Sequence, residues 1–199
     1  MSAETTTETT TPRVWVACLA CYNDGKLVGA WCDAVDADDL WADIAKVMGG
    51  PKHGTARELA FYGPHEEHAF HDHEGFAGYR VSEYETVESV CAVGALIEEH
   101  GEAVALWLAN DSTNLKRIRE DADAFAEDYQ GEWESAEEWA EEFWESTGGA
   151  QELEQWHEAH GWAGSVRFDA AHFVHECECE GSIWTATDSA YRVHVFHSR

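Results

Sequence analysis

The stretch from Glu120 to Glu145, EDADAFAEDYQGEWESAEEWAEEFWE, holds twelve carboxylates and no Lys or Arg, and any fold of this chain has to accommodate it. Within it Ala136, Trp139, Ala140, Phe143 and Trp144 recur at i, i+3, i+4, i+7 and i+8, the spacing that lays one apolar stripe along an α-helix. Ser135 stands at the N-cap position, Glu138 three residues on completes a capping box, and Gly148-Gly149 supplies a stop. The spacing predicts a helix from about Ala136 to about Thr147. Its other face carries Glu137, Glu141 and Glu145 in one row and Glu138 and Glu142 in a second. Like charges at i, i+4 are destabilising by about 0.2–0.5 kcal/mol each, so the three such pairs cost about 0.6–1.5 kcal/mol. The helix dipole offsets part of this at Glu137 and Glu138, in the first turn. Nothing local offsets it at Glu141, Glu142 and Glu145, because no Lys or Arg occurs from Glu120 until Arg167. A helix that keeps this self-repulsion points to the negative field itself as the useful property.

The field extends over the chain, where 40 Asp and Glu against 12 Lys and Arg give a formal net charge of −28 with His neutral. Nucleic acid is excluded as a ligand, since the dominant electrostatic contribution would be repulsive, and a basic partner is favoured. At one charge per ~1.7 Å of duplex, that total matches roughly 48 Å of DNA. Ten Trp, eight Phe and six Tyr exclude a disordered acidic chain. Residues 1–11 are polar and Thr-rich and read as a disordered tail rather than a signal peptide, and no stretch reaches membrane-spanning length. The expectation is a soluble cytoplasmic protein with no membrane partner and with its six cysteines reduced. Acid-rich, Lys-poor composition has a second reading, adaptation to high salt, which expects acids spread evenly over every surface.

Taken in order, RVWVACLACY (13–22) reads as a strand, Asn23-Asp24-Gly25 as a turn and KLVGAWCD (26–33) as a second strand, together a β-hairpin. Asp36 caps a helix with Leu40, Trp41, Ile44, Val47 and Met48 on its apolar side, ended by Gly49-Gly50-Pro51. Extended stretches follow at 58–61 and 69–76, which completes a ββαβ module. Ser82 with Glu85 forms a capping-box candidate for a helix through Leu96. A short helix spans about 102–109, and a third passes through Leu115, Ile118, Ala122 and Phe125. Lys116, Arg117 and Arg119 form a basic cluster there that can answer nearby carboxylates within the fold or across an oligomer contact. The remainder mixes the acidic helix, a helix-like run through Leu153, Trp156 and His157, a helix capped by Asp169, and strand-like runs at 183–187 and 191–196. The fold class is α+β, in three small domains at 12–82, 83–127 and 128–199.

The tract His65-Glu66-Glu67-His68-Ala69-Phe70-His71-Asp72-His73 invites a metal reading. On a strand His71 and His73 share a face and could serve an acidic metal-dependent hydrolase. The plainer reading is surface or half-buried histidines. Cys18-x-x-Cys21 and Cys177-x-Cys179 could in principle form a four-thiolate site. A strand through Tyr22 would put Cys18 and Cys21 on opposite faces, however, which favours buried apolar cysteines and no metal. No nucleophile elbow, phosphate loop or dinucleotide fingerprint occurs, so no cofactor and no enzyme activity is expected.

Several blocks together resemble the ArdA antirestriction proteins. They are PRVWVACLACYNDG (12–25) with Gly29-Ala30-Trp31, EHAFHDHEGF (67–76) ahead of Ser82-Glu83-Tyr84-Glu85, and YQGEW (129–133) with EFWESTG (142–148). Phe168-Asp169-Ala170-Ala171 and Val193-His194-Val195-Phe196 complete the set. The resemblance implies an elongated α+β monomer that dimerises through its C-terminal domain, with Phe143, Trp144 and Thr147 at the contact. It also implies that surface carboxylates stand in for DNA phosphates in the groove of type I restriction-modification enzymes, on their methyltransferase core. The candidate phosphate mimics before the acidic stretch are Asp36, Asp38, Asp39, Asp43, Glu66, Glu67, Asp72, Glu74, Glu83, Glu85, Glu88, Glu98, Glu99 and Glu102. Within it they are Glu120, Asp121, Asp123, Glu127, Asp128, Glu132, Glu134, Glu137, Glu138, Glu141, Glu142 and Glu145.

Overall fold

A computed structural model of the chain describes residues 11–50, 65–161 and 164–198. Of the expected tail over residues 1–11, residues 1–10 lie outside the described residues, as does the extended stretch at 58–61. The chain falls into two compact units, residues 1–122 and 123–199, and is α+β in class.

The first unit opens with β1 (Arg13–Cys18), whose alternation buries Val14 and Val16 completely. On the opposite face Trp15 meets Trp31 edge to face, with ring centroids 5.8 Å apart. The alternation of RVWVACLACY predicts a strand to Tyr22 and a tight hairpin turn. Instead β1 ends at Cys18, and α1 (Leu19–Asn23) takes its place before β2 (Gly29–Asp33). The physical reason is local: the β-branched residues stop at Val16, and Ala17 to Cys21 holds Ala and Leu, which favour helix. Gly25, at φ +75°, then reverses the chain, and the Lys26 N–H donates to the Cys21 carbonyl. The antiparallel pairing of a hairpin survives, with Trp15 opposite Trp31.

Asp36 caps α2 (Ala37–Gly49) as expected, accepting from the Asp39 N–H at 3.0 Å, and Leu40 and Ile44 are buried. The third strand, β3 (His68–Glu74), pairs with β1 to give the order β2-β1-β3, all antiparallel. A bulge lets Trp15 and Val16 face Asp72 and Phe70, so His71 is the extra residue.

Next come α3 (Val87–His100), α4 (Glu102–Asn110) and α5 (Asn114–Glu120), a helical cluster packed against α2. The cap of α3 is Thr86, not Ser82, and its hydroxyl accepts from the Ser89 N–H. Ser82 and Glu85 form a turn ahead of the helix, in which the Glu85 carboxylate still accepts from the Ser82 N–H at 3.2 Å while also taking bonds from Tyr79 and Ser89. Gly94 sits where α3 runs against the backbone of Ala34, and a Cβ there would strike the Ala34 carbonyl. The helix expected to continue from α5 through Phe125 breaks at Asp121, whose backbone is extended.

The second unit comprises α6 (Ala124–Asp128), β4 (Tyr129–Trp133), α7 (Ala136–Ser146), α8 (Gly149–His160), α9 (Ala170–Glu180), β5 (Ile183–Thr187) and β6 (Val193–His197). Its sheet has the order β4-β6-β5, all antiparallel. No strand is expected at β4, which lies inside the acidic run and carries Gly131 at φ +111° beside a bulge. Trp139 and Ala140 of α7 pack with Val174, Ile183 and Val195 to form the core.

Candidate functional site: an acidic surface and a thiol–imidazole cluster

The acidic helix is built as its spacing predicts. Ser135 accepts from the Glu138 N–H at 3.2 Å, and the Glu138 carboxylate reaches back to the Glu134 N–H at 2.7 Å, one residue beyond the usual capping box. The apolar stripe is anchored by stacking: Trp139 on Phe143 at 5.5 Å, Phe143 on Phe173 at 5.9 Å, and Trp144 on Phe168 at 4.5 Å. With that stripe fixed inward, Glu137, Glu138, Glu141, Glu142 and Glu145 are all exposed. Among the described residues, no Lys or Arg ion-pairs with Glu137, Glu141, Glu142 or Glu145. Five carboxylates over the ~12 Å from residue 137 to 145 give about one charge per 2.4 Å. Duplex DNA carries one per ~1.7 Å, so this helix face approaches DNA in linear charge density.

The three residues assigned to a dimer contact have intramolecular partners. Phe143 is 39% exposed and stacks against both Trp139 and Phe173, Trp144 is half-buried over Gly149, and the Thr147 hydroxyl donates to the Phe143 carbonyl at 2.8 Å.

Exposed candidates in the first unit are Asp36, Asp38, Asp39, Glu66, Glu67, Asp72, Glu74, Glu83, Glu88, Glu98, Glu99, Glu120 and Asp121. Those in the second, beside the helix, are Asp123, Glu127, Glu132 and Glu134. Asp43 and Glu102 are half-buried. Glu85 and Asp128 stand apart. The Glu85 side chain is 4% exposed, accepts from Tyr79 Oη at 3.0 Å and Ser89 Oγ at 2.9 Å, and lies 3.7 Å from the Arg119 guanidinium. Asp128 is 2% exposed. The basic cluster answers locally: Lys116 lies 3.5 Å from Glu120, and Arg117 stacks over Trp107. Other cations pair at the sheet ends, Arg13 with Asp33 and Glu74, and Arg192 with Glu132.

A recess of about 280 Å³ in the first unit lies between Trp41, His68, Phe70, Tyr84 and the carboxylates Glu83 and Glu88. Trp41 and Tyr84 are 45% and 70% exposed, and Trp41 Nε1 donates to Glu88 at 3.0 Å, which holds that carboxyl below the usual range. His68 stands edge-on to Trp41 and Phe70, and burial lowers its pKa. The unfolded chain regains an ordinary imidazole near pH 6.5 and so takes up a proton that the folded state resists. Stability is therefore present above about pH 6.5 and is lost as pH falls through the depressed folded value. His68→Phe should narrow the difference between urea midpoints at about pH 7.5 and about pH 5.5. An unchanged difference would mean that His68 does not contribute to it.

His71 and His73, the pair considered for a hydrolase, have different neighbours. His71 lies 3.6 Å from Glu83 and against the Tyr22 ring, whereas His73 packs on Phe76. Among the described residues, neither belongs to a group of three metal-ligating side chains.

Two other groups do come together. Glu132, Asp188 and His194 converge in the second unit, but Arg192 Nε already donates to Glu132 at 2.8 Å. His194 is held between Tyr129 Oη at 3.0 Å and Asp188 at 3.3 Å. Burial, helped by the Glu132 and Asp188 charges, pushes the Tyr129 hydroxyl up to about 12. The second group is Cys18, Cys21 and His65. Because β1 stops at Cys18 and α1 turns the chain, the two thiols share a side, contrary to the strand expectation. His65 Nδ1 lies 3.1 Å from Cys18 Sγ and 3.3 Å from Cys21 Sγ. Both cysteines are buried, at 0% and 2% exposure. Cys177 and Cys179 lie on α9, where Cys179 Sγ meets its own neighbour His175 at 3.6 Å.

Fold and surface together define a class: a folded α+β protein that turns one face of a helix, with five exposed carboxylates, outward. Among the described residues, no helix is long and apolar enough to cross a membrane. The family model of the antirestriction protein ArdA matches residues 14–192, and the chain belongs to that family. It is an antirestriction protein. No curated protein matches the chain significantly.

Proposed function

We propose that this protein inhibits type I restriction-modification enzymes by occupying the DNA-binding groove of their methyltransferase core, its carboxylates taking the places of DNA phosphates. The observation that carries the reading is the outer face of α7, with five acidic groups in two rows that a self-contained helix would have balanced with Lys or Arg. Lys and Arg that grip phosphate grip carboxylate by the same charge-assisted hydrogen bonds, and Arg does so bidentately. The recess flanked by Trp41 and Tyr84, with Glu83 and Glu88 beside them, suits one such guanidinium. Glu85 and Asp128, being buried, serve the fold rather than the partner. The acting form is a cytoplasmic homodimer joined through residues 128–199, with the half-exposed edge of Phe143 near the contact. The chain divides functionally at 12–82, 83–127 and 128–199 and catalyses no reaction. The test is a titration into a type I restriction enzyme. Cleavage should cease near one dimer per enzyme, and the affinity of the protein for the enzyme without DNA should fall as salt screens the carboxylate contacts. Complete inactivation by a small fraction of an equivalent would point to catalysis and contradict mimicry.

A further inference from the structure

We propose that Cys18, Cys21 and His65 form a binding site for one Zn²⁺ ion. Two segments distant in sequence supply the ligands: the β1–α1 junction, with Cys18 ending β1 and Cys21 in the first turn of α1, and the approach to β3, with His65. The site therefore depends on the break at Cys18, which converts a C-x-x-C spacing from opposite faces of a strand into two sulfurs on one side. All three donor atoms lie within 4.8 Å of one another. Tetrahedral zinc, with Zn–S near 2.3 Å and Zn–N near 2.0–2.1 Å, sets sulfur and nitrogen about 3.6 Å apart. The present separations of 3.1 and 3.3 Å are short of that by about 0.3–0.5 Å, within reach of small side-chain rotations. Thiolate and neutral imidazole are the ligand types that zinc prefers, and a three-ligand set leaves one position for a water or an outside donor. On binding, each thiol gives its proton to solvent, so uptake should release protons and strengthen as pH rises. A filled site ties β1, α1 and the approach to β3 together, which makes it a clamp on the first unit. It is independent of the acidic surface and of the antirestriction reading.

The test uses the full-length protein, stripped of metal under reducing conditions, incubated with Zn²⁺ and freed of excess. About one equivalent of zinc per chain is expected, with a rise of roughly 5 °C or more in the thermal midpoint. Cobalt should replace zinc and give a thiolate-to-metal charge-transfer band. Cys18→Ser and Cys21→Ser should lose that band, while Cys179→Ser on α9 should keep it. Since Cys18 is fully buried and its variant could fail to fold, His65→Ala provides a second arm. With an unchanged circular dichroism spectrum, it should bind zinc at least ~10-fold more weakly. Uptake below about a tenth of an equivalent by the folded parent would overturn the proposal, as would equal uptake by Cys21→Ser or His65→Ala. Closure of a Cys18–Cys21 disulfide in preference to zinc binding under the same reducing conditions would overturn it as well.

Discussion

Changing ten exposed carboxylates to amides, among them Glu137, Glu141, Glu142 and Glu145, should abolish inhibition of a type I restriction enzyme. Changing Glu141 and Glu145 alone should cost less than about fivefold. An exposed ion pair contributes about 0.2–1 kcal/mol, so one or two losses disappear into the remaining field. Ten at about 0.5 kcal/mol each amount to about 5 kcal/mol, a loss of several thousandfold. The same changes should not unfold the protein. Glu141→Gln, Glu142→Gln and Glu145→Gln together relieve all three like-charge pairs on α7, which should stabilise the helix by about 0.6–1.5 kcal/mol. Measuring inhibition and urea midpoint on the same variants separates the two effects. A single exposed Glu whose loss removes all activity, or an amide series that destabilises as it inactivates, would contradict a distributed electrostatic surface.

The second large effect concerns the platform that presents this face. Trp139 is 4% exposed, stacked against Phe143 and 6.2 Å from the Phe173 ring, with Val174 and Ile183 in the same core. Trp139→Ala removes a buried indole from the packing of α7 against α9 and should cost about 3–5 kcal/mol. Native stabilities are only about 5–15 kcal/mol, so the second unit should become marginal and unfold at much lower urea. Near-ultraviolet circular dichroism against urea would report it. A shift worth less than about 1 kcal/mol would mean that the aromatic stack does not anchor the acidic helix.

What the sequence discloses about this protein depends on how far apart the deciding residues lie. The acidic helix was legible because its stripe, its Ser135 cap and its glycine stop all fall within fourteen residues, and each local preference agrees with the others. The end of β1 was not, because RVWVACLACY alternates well enough to pass for one strand, and only the helix-favouring Ala17 to Cys21 hints at the break. Missing that break hid the Cys18–Cys21–His65 cluster, whose imidazole comes from more than forty residues away. Glu85 misled in a different way. Its place three residues after Ser82 suits a capping box, and its carboxylate does accept from the Ser82 N–H, yet Tyr79, Ser89 and Arg119 also hold it inward and the helix is capped by Thr86. In a chain this acidic, composition marks nearly every carboxylate as surface. Only tertiary contacts single out the few, such as Glu85 and Asp128, that the fold keeps for itself.

The central claim is competition with DNA, and it is tested most directly by adding the protein to a purified type I methyltransferase core bound to labelled target duplex. DNA should be displaced at near one dimer per enzyme, and binding of the protein to the DNA-free core, measured separately, should weaken as salt rises. Retention of the duplex by several such cores at moderate salt, with the protein folded and in excess, would contradict phosphate mimicry. The acidic surface would then be an adaptation to solvent rather than to a partner.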